Sequence, residues 1–362
     1  MRNKIKDQIG KGWSDTERWV WEKIRSGQIA DFNEKTGNKV NTEAANDWEQ
    51  IGTERLLSAK FLENILSEEY FLREVTVKGF RIAGAIFKGD INLQHLKLER
   101  QLWMENCRFE GSLKLMNFYI NDWFSLEGSW IKDAIDLNGA QFNSFVSLKY
   151  ITVKGNVDMI GVNIGAHLQL DSSTFEKELI MNSVKIGGSL YMRDKCNFNH
   201  VNLQTATVEG VVEMDSSFFN DKLDMTLINI GGYLSMCDKA SFNGVFLSNA
   251  KIDGNLLFRG STFKDSLNMN SVSVGGSVFM DEKTKFKKIL MRNANLQGSL
   301  YMTGSDFSEV IDMNFIKVDG TVFLNNAIFN STIDLVSSTI NGNIELTHSE
   351  FNDHVVIDNS NI

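Results

Sequence analysis

The chain has 362 residues, 42% of them hydrophobic and none of them proline, so it has the apolar material for a core and lacks the residue barred from central strands. Its formal net charge of −9 excludes general binding to nucleic-acid phosphates, which needs a basic surface. No run of about 18 apolar residues is present, the N-terminus MRNKIKDQIG lacks the apolar centre of a signal peptide, and three widely spaced cysteines (Cys107, Cys196, Cys237) fit a reduced, cytoplasmic setting rather than a disulfide framework.

Residues 1–70 read as a helical N-terminal cap. Ser14 followed by Glu17 is a capping-box signature, and Gly27 is a stop signal. Trp19, Val20 and Ile24 would form one face of that helix. A second helix is predicted from Thr53 to Leu66, where Leu57, Phe61, Leu62, Ile65 and Leu66 recur at helical spacing. The polar stretch EKTGNKVNTEAAND between them is predicted to be a loop. A helical segment ahead of a repeat array commonly covers its open end. A docking unit with its own partner is the alternative. The cap tryptophans Trp13, Trp19, Trp21 and Trp48 would pack on Tyr119, Trp123 and Trp130 of the early repeats.

From residue 71 to 362 the pattern changes to an 11-residue interval. Val318, Phe329, Ile340 and Phe351 mark it, and Ile362 stands one interval further on. Each interval holds two pairs of inward residues, such as Ser338/Ile340 and Ile344/Leu346, and each pair brackets one residue. Alternation at period two means a strand with one buried face, and a single pair means a very short strand. Pairs are separated by two and three residues in turn, which are corners. Two intervals therefore make four strands and four corners, and 22 residues close one turn of a four-sided β-solenoid. About 13 coils fit, a rod on the order of 60 Å long at roughly 4.8 Å per coil.

Two ladders carry this reading. Gly188, Gly210, Gly232, Gly254, Gly276, Gly298, Gly320 and Gly342 stand 22 residues apart in the longer corner, where a positive φ is expected of them. Phe175, Phe198, Phe219, Phe242, Phe263, Phe286, Phe307, Phe329 and Phe351 should stack inside, one per coil. The extra residue in RDKCNF, CDKASF and DEKTKF puts Asp194–Lys195, Asp238–Lys239 and Glu282–Lys283 in solvated corner loops on alternate coils.

Segments such as ANLQG (294–298), SDFSE (305–309) and SSTIN (337–341) resemble the pentapeptide-repeat family, whose pattern is Ala-Asp/Asn-Leu-X-X. The resemblance covers residues 80–362 and implies a right-handed, four-sided parallel β-helix. The chain departs from the family in its 5+6 repeat, in Ile, Val and Met replacing Leu, and in Val, Ile or Leu at the first position. The expected fold is thus mainly β, a parallel β-solenoid with a small α-helical cap.

Fixing the inward residues fixes the outward ones. The column after the glycine corner presents Leu257, Phe279, Tyr301 and Phe323 on four successive coils. A contiguous apolar stripe points to a dimer or partner interface, and cross-strand packing that only stabilises the ladder is the other reading. The opposite column carries Asp136, Asp158, Asp224, Asp312 and Asp334, interrupted by Phe246 and Leu290. Some pentapeptide-repeat proteins imitate duplex DNA, so this column would be the surface of a DNA mimic acting on a DNA-binding enzyme such as a topoisomerase. The end at VVIDNSNI stops in mid-pattern, which fits rods meeting end to end, a covering partner or a longer chain.

No chemistry is expected. His95, His167, His200, His348 and His354 do not fall at metal-site spacing, and no phosphate-loop, dinucleotide or nucleophile-elbow motif occurs. Cys107 and Cys196 fill small inward sites two residues before Phe109 and Phe198, and Cys237 is placed in a corner where it could be exposed. The sequence therefore predicts a non-enzymatic scaffold without cofactor or metal, acting on a protein partner or on its own copy, with no direct nucleic-acid contact and no membrane span.

Overall fold

A computed structural model describes residues 12–39 and 53–362. The first element among the described residues is α1 (Asp15–Arg25). Ser14 Oγ accepts from the Glu17 amide, and Glu17 Oε2 accepts from the Ser14 amide at 2.8 Å, which is the capping box in both directions. Val20 and Ile24 are fully buried and Trp19 partly so. A two-residue strand β1 (Ala30–Asp31) leads into the short helix α2 (Phe32–Thr36), so the predicted loop begins with helix; its residues beyond 39 lie outside the described residues, as does Trp48.

The second predicted helix starts later than expected. Thr53–Arg55 form a single 3₁₀ turn, β2 (Leu56–Ser58) follows, and only then come α3 (Ala59–Ser67) and α4 (Glu69–Glu74). The reason is pairing: β2 lies parallel to Ile86–Lys88, and β1 lies parallel to β3 (Phe80–Ala83). Glu63 Oε1 on α3 takes the Asn92 amide at 2.9 Å. The cap thus covers the first coil with strands as well as helices, satisfying edge groups that would otherwise be open. Arg55, buried at 2% exposure, donates to Asn33 Oδ1, Gly84 O, Thr36 Oγ1 and Asn38 O, tying α2 to the rod.

The rest is a parallel β-solenoid of about 13 turns with a 22-residue period. Each coil supplies four strands, mostly of two residues, and every pairing runs parallel to the next coil: Leu102 faces Phe124, Arg108 faces Trp130, Leu113 faces Ile135, and Lys97 faces Tyr119. Two ladders form sheets of 14 and 12 strands among the described residues. The other two join into one sheet because Thr262–Asn268 and Lys285–Leu290 run through the corner that separates them elsewhere.

The nine-ring phenylalanine ladder stacks inside as expected. Neighbouring centroids are 4.8 Å (Phe263–Phe286) to 5.4 Å (Phe286–Phe307) apart, with near-parallel planes. Each offset pair adds about 0.5–1.5 kcal/mol to the burial term. Two residues before these rings the core narrows at a corner, and small polar side chains fit. Ser173 Oγ donates to Leu148 O at 2.6 Å and accepts from the Ile151 amide at 3.1 Å, so a buried hydroxyl closes backbone groups that the corner leaves open.

The glycine ladder is present, but its reason differs from the expected one. None of Gly188, Gly210, Gly232, Gly254, Gly276, Gly298, Gly320 and Gly342 has positive φ. Their amides instead bond straight up the stack, Gly210 to Gly188 O at 2.8 Å and Gly298 to Gly276 O at 2.9 Å. A Cβ on Gly298 would sit 2.4 Å from Ser277 Oγ and 2.6 Å from Gly276 O. Close approach of backbone to backbone, not left-handed conformation, selects glycine here. Positive φ falls in the two-residue corners, mostly on Asn, Ser and Gly. The acid–Lys pairs Asp194–Lys195, Asp238–Lys239 and Glu282–Lys283 are exposed corner residues, and both members of each pair take positive φ to fit the extra residue.

Candidate interaction face

The predicted stripe is a continuous ring stack on the outside of the 14-stranded sheet. Leu257 pairs with Phe279, Phe279 with Tyr301, and Tyr301 with Phe323 across adjacent strands. Phe279 and Tyr301 are 4.7 Å apart at 4°, and Tyr301 and Phe323 are 4.7 Å apart at 8°. The Arg259 guanidinium lies 4.3 Å over Phe279 and is held there by Asp281 at 3.0 Å. Each ring covers part of the next, so all four residues are half-buried and the rings offer their edges to the outside. Glu345 continues the column beyond Phe323 and is exposed.

The structure extends this face well beyond the four predicted residues. Trp103 stands in the same column, and Trp123 packs on it at 4.4 Å, with Phe145 a further 4.5 Å on. Trp123 and Phe145 are corner residues, two positions before the outward Ser125 and Ser147, and both serines are buried. His167 leans on Tyr191 (5.8 Å), Arg193 caps Tyr191 (4.4 Å), and the Tyr233 hydroxyl donates to Glu213. With few gaps, an aromatic or imidazole ring therefore lies on this side from Trp103 to Phe323. The sequence assigns Trp123 to the cap and leaves Phe145 and His167 off this face, because alternation orients only the residue between each inward pair. The signal was available: Trp123, Phe145 and His167 are themselves 22 apart.

Among the described residues of the cap, no aromatic ring packs on Trp123, Tyr119 or Trp130. Trp13 packs on Trp21, Phe61 and Phe71, and Trp19 packs on Phe32, so the cap tryptophans stack within the cap. Trp130 lies under the buried Arg108 guanidinium at 4.0 Å, and Tyr119 accepts from Asn143 at 2.8 Å.

Electrostatics vary along the aromatic side. Arg193 lies between Asp171 and Glu213; burial opposes its charge, but the two carboxylates win and raise its pKa. The hydrogen bond to Glu213, followed by burial, pushes the Tyr233 phenol up to about 12. At the N-terminal end Arg81 donates to Gly27 O at 2.7 Å and stands 5.5 Å over Trp103. Three buried donor atoms there have no acceptor among the described residues: Arg81 Nε, Trp103 Nε1 and Trp123 Nε1.

The acidic column lies on the opposite ladder, and its charges are largely engaged. Asp224 is 3% exposed; burial opposes ionisation, yet hydrogen bonds from Lys222 and Thr226 hold its carboxyl below the ordinary range. Asp312, 7% exposed, pairs with Arg292, and Asp334 accepts from Asn314 at 3.0 Å. Asp136 and Asp158 each accept the amide two residues on. Lys114 occupies the same column one coil before Asp136.

Cys107 and Cys196 are fully buried where expected, and burial pushes both thiols up to about 12. Cys237 departs from expectation: it is 8% exposed, its amide donates to Asp215, and burial raises its pKa too. His348 and His354 are exposed. Among the described residues no three His, Cys, Asp or Glu side chains converge as metal ligands, and no helix is long and apolar enough to cross a membrane. No protein-family model matches the chain, and no curated protein or solved structure matches it.

Proposed function

We propose that this protein is a non-enzymatic recognition rod that works in a reducing, cytoplasmic setting and binds a protein, its own copy or another, through the aromatic side of the solenoid. The observation that carries this reading is the run of rings on one face, most of them half-buried, including the parallel stack of Phe279, Tyr301 and Phe323. A solenoid presents such a surface already ordered, so a partner need not meet the entropy of arranging it. The three unpaired, buried thiols support the choice of compartment. The assignment to an atypical branch of the pentapeptide-repeat family, with a right-handed four-sided course, belongs to the same proposal. It is supported by the inward phenylalanine ladder and the small residues before it.

Charge mimicry of DNA is the weaker reading. It needs a row of free carboxylates, and here Asp224 and Asp312 are buried against cations while Phe246 and Leu290 interrupt the row.

The test compares the wild type with Phe279→Asp/Tyr301→Asp. Both side chains point outward, so β-sheet circular dichroism should be unchanged while association is lost, read by light scattering and by capture of partners on immobilised protein. Identical mass and identical captured proteins for a folded variant and the wild type would overturn the reading.

A further inference from the structure

Building on the recognition-rod reading, we infer that the aromatic side is covered by a second copy of this chain, lying antiparallel about a two-fold axis at Glu213. The first support is area. The four-residue stripe alone offers roughly 250 Å², taking a coil rise of about 4.8 Å and a side about four residues wide. That belongs with incidental contacts, since a stable partner usually covers about 800 Å² per chain. The extended side from Arg81 to Glu345 spans twelve coil steps, roughly 58 Å, and offers about 750 Å². Only the full length reaches the size of a standard interface, and a partner of that length with a matching face is the chain itself.

The second support is self-complementarity. A two-fold contact sets residue i against j and j against i. The outward column runs in steps of 22 residues without interruption from Arg81 through Glu213 to Glu345. With Glu213 at the axis, positions whose numbers are equally far from 213 meet. Arg81 then faces Glu345, Trp103 faces Phe323, and Phe279 comes opposite the coil that carries Phe145. Rings meet rings, and the two ends carry opposite charge. Glu213 does not face its twin as a bare charge, because Arg193 and Tyr233 of its own chain already bind it. A parallel arrangement would set Arg81 on Arg81 and Glu345 on Glu345, which is unfavourable.

The experiment uses full-length protein carrying a single added cysteine, since the three native thiols are buried. Glu213→Cys should form a disulfide-linked dimer under mild oxidation, and Tyr301→Cys should not. In the antiparallel pairing two copies of position 301 stand eight coil steps apart, roughly 38 Å. Light scattering of the reduced wild type should give twice the monomer mass of 40.9 kDa. Glu345→Lys should weaken the dimer at least tenfold and flatten its loss with salt, because salt then screens a repulsion with Arg81 in place of an attraction. Glu213→Ser, free of any thiol, controls for damage at the axis by keeping the dimer mass.

Cross-linking at 301 but not at 213, or a dimer untouched by Phe279→Asp/Tyr301→Asp, overturns the antiparallel pairing. A monomer at every concentration overturns self-association. Even then, recognition of a foreign protein stands if the double variant still loses captured partners. If the double variant loses nothing in either assay, the recognition reading falls as well.

Discussion

Replacing Phe307 with alanine tests whether the rod is held together coil by coil. Phe307 is 1% exposed and stacks between Phe286 at 5.4 Å and Phe329 at 4.9 Å. A buried Phe→Ala change costs about 3–5 kcal/mol, cavity included, and the two lost ring contacts account for about 0.5–1.5 kcal/mol each of that. In a solenoid each coil touches only its neighbours, so the cost falls on the coils around the change rather than on the whole rod. At about 1.36 kcal/mol per tenfold, amide protection around Phe286–Phe329 should fall by roughly two to four orders of magnitude. Protection at Phe175–Phe242 should stay unchanged. Hydrogen exchange read by mass spectrometry resolves the two regions. A uniform loss along the chain would mean that the rod opens as one cooperative body, and a loss below tenfold would mean that the stack contributes little. Either result refutes the nearest-neighbour reasoning.

Gly298→Ala, a change that is often stabilising where φ permits it, should instead lower stability by about 1–3 kcal/mol, the range of overpacking. The new Cβ meets Gly276 O and Ser277 Oγ, and Gly298→Asn should be no better tolerated; rescue by Asn in urea denaturation would restore the positive-φ explanation. Arg55→Ala leaves Gly84 O and Asn38 O without their donor and should cost about 1–3 kcal/mol, seen as faster exchange in Phe80–Ala83 with the distant coils unchanged. The thiols of Cys107 and Cys196 should resist alkylation in the folded protein and react on unfolding. Their folded pKa, about 12, stands above the ordinary 9.0, so the unfolded state loses those protons first as pH rises. The stability they support is complete below pH 9 and declines between pH 9 and about 12. A urea midpoint that did not fall through that window in the wild type relative to Cys107→Ala/Cys196→Ala would contradict this.

The fold was legible because its signals are redundant. Phe175 to Phe351 repeat one residue type at one inward site, and the same 22-residue step recurs in Gly188 to Gly342, so an error at one coil is corrected by the next. The cap was less legible. Leu57 satisfies helical spacing with Phe61, yet it sits in strand β2, because a parallel partner at Phe87 was waiting for it, and a local pattern cannot reveal a partner 30 residues away. The glycine column was placed correctly and explained wrongly. Sequence shows that a side chain is missing, and only packing shows whether the missing atom would strain φ or strike Gly276 O.

The interaction face was half legible for a similar reason. Alternation identifies the residue that must point outward on a strand, which gives Leu257, Phe279, Tyr301 and Phe323. It says nothing of a corner residue, whose direction depends on the turn. Trp123 and Phe145 turn toward the strand column, bury Ser125 and Ser147 beneath the ridge and carry it to Trp103. That rotation separates a patch of roughly 250 Å² from a side of about 750 Å², the difference between surface roughness and an interface of ordinary size. It also reverses the standing of the acidic column. Read as sequence, Asp224 and Asp312 are two of five outward charges. Folded, Asp224 is turned back onto Lys222 of its own corner and Asp312 onto Arg292 of the preceding coil. The carboxylates that remain are too few and too far apart to stand for a phosphate backbone, which carries one charge per roughly 1.7 Å of helix axis. The physical contrast between the two sides, one rich in half-covered rings and one with its two most buried carboxylates held by cations, is what favours protein recognition over charge mimicry for this rod.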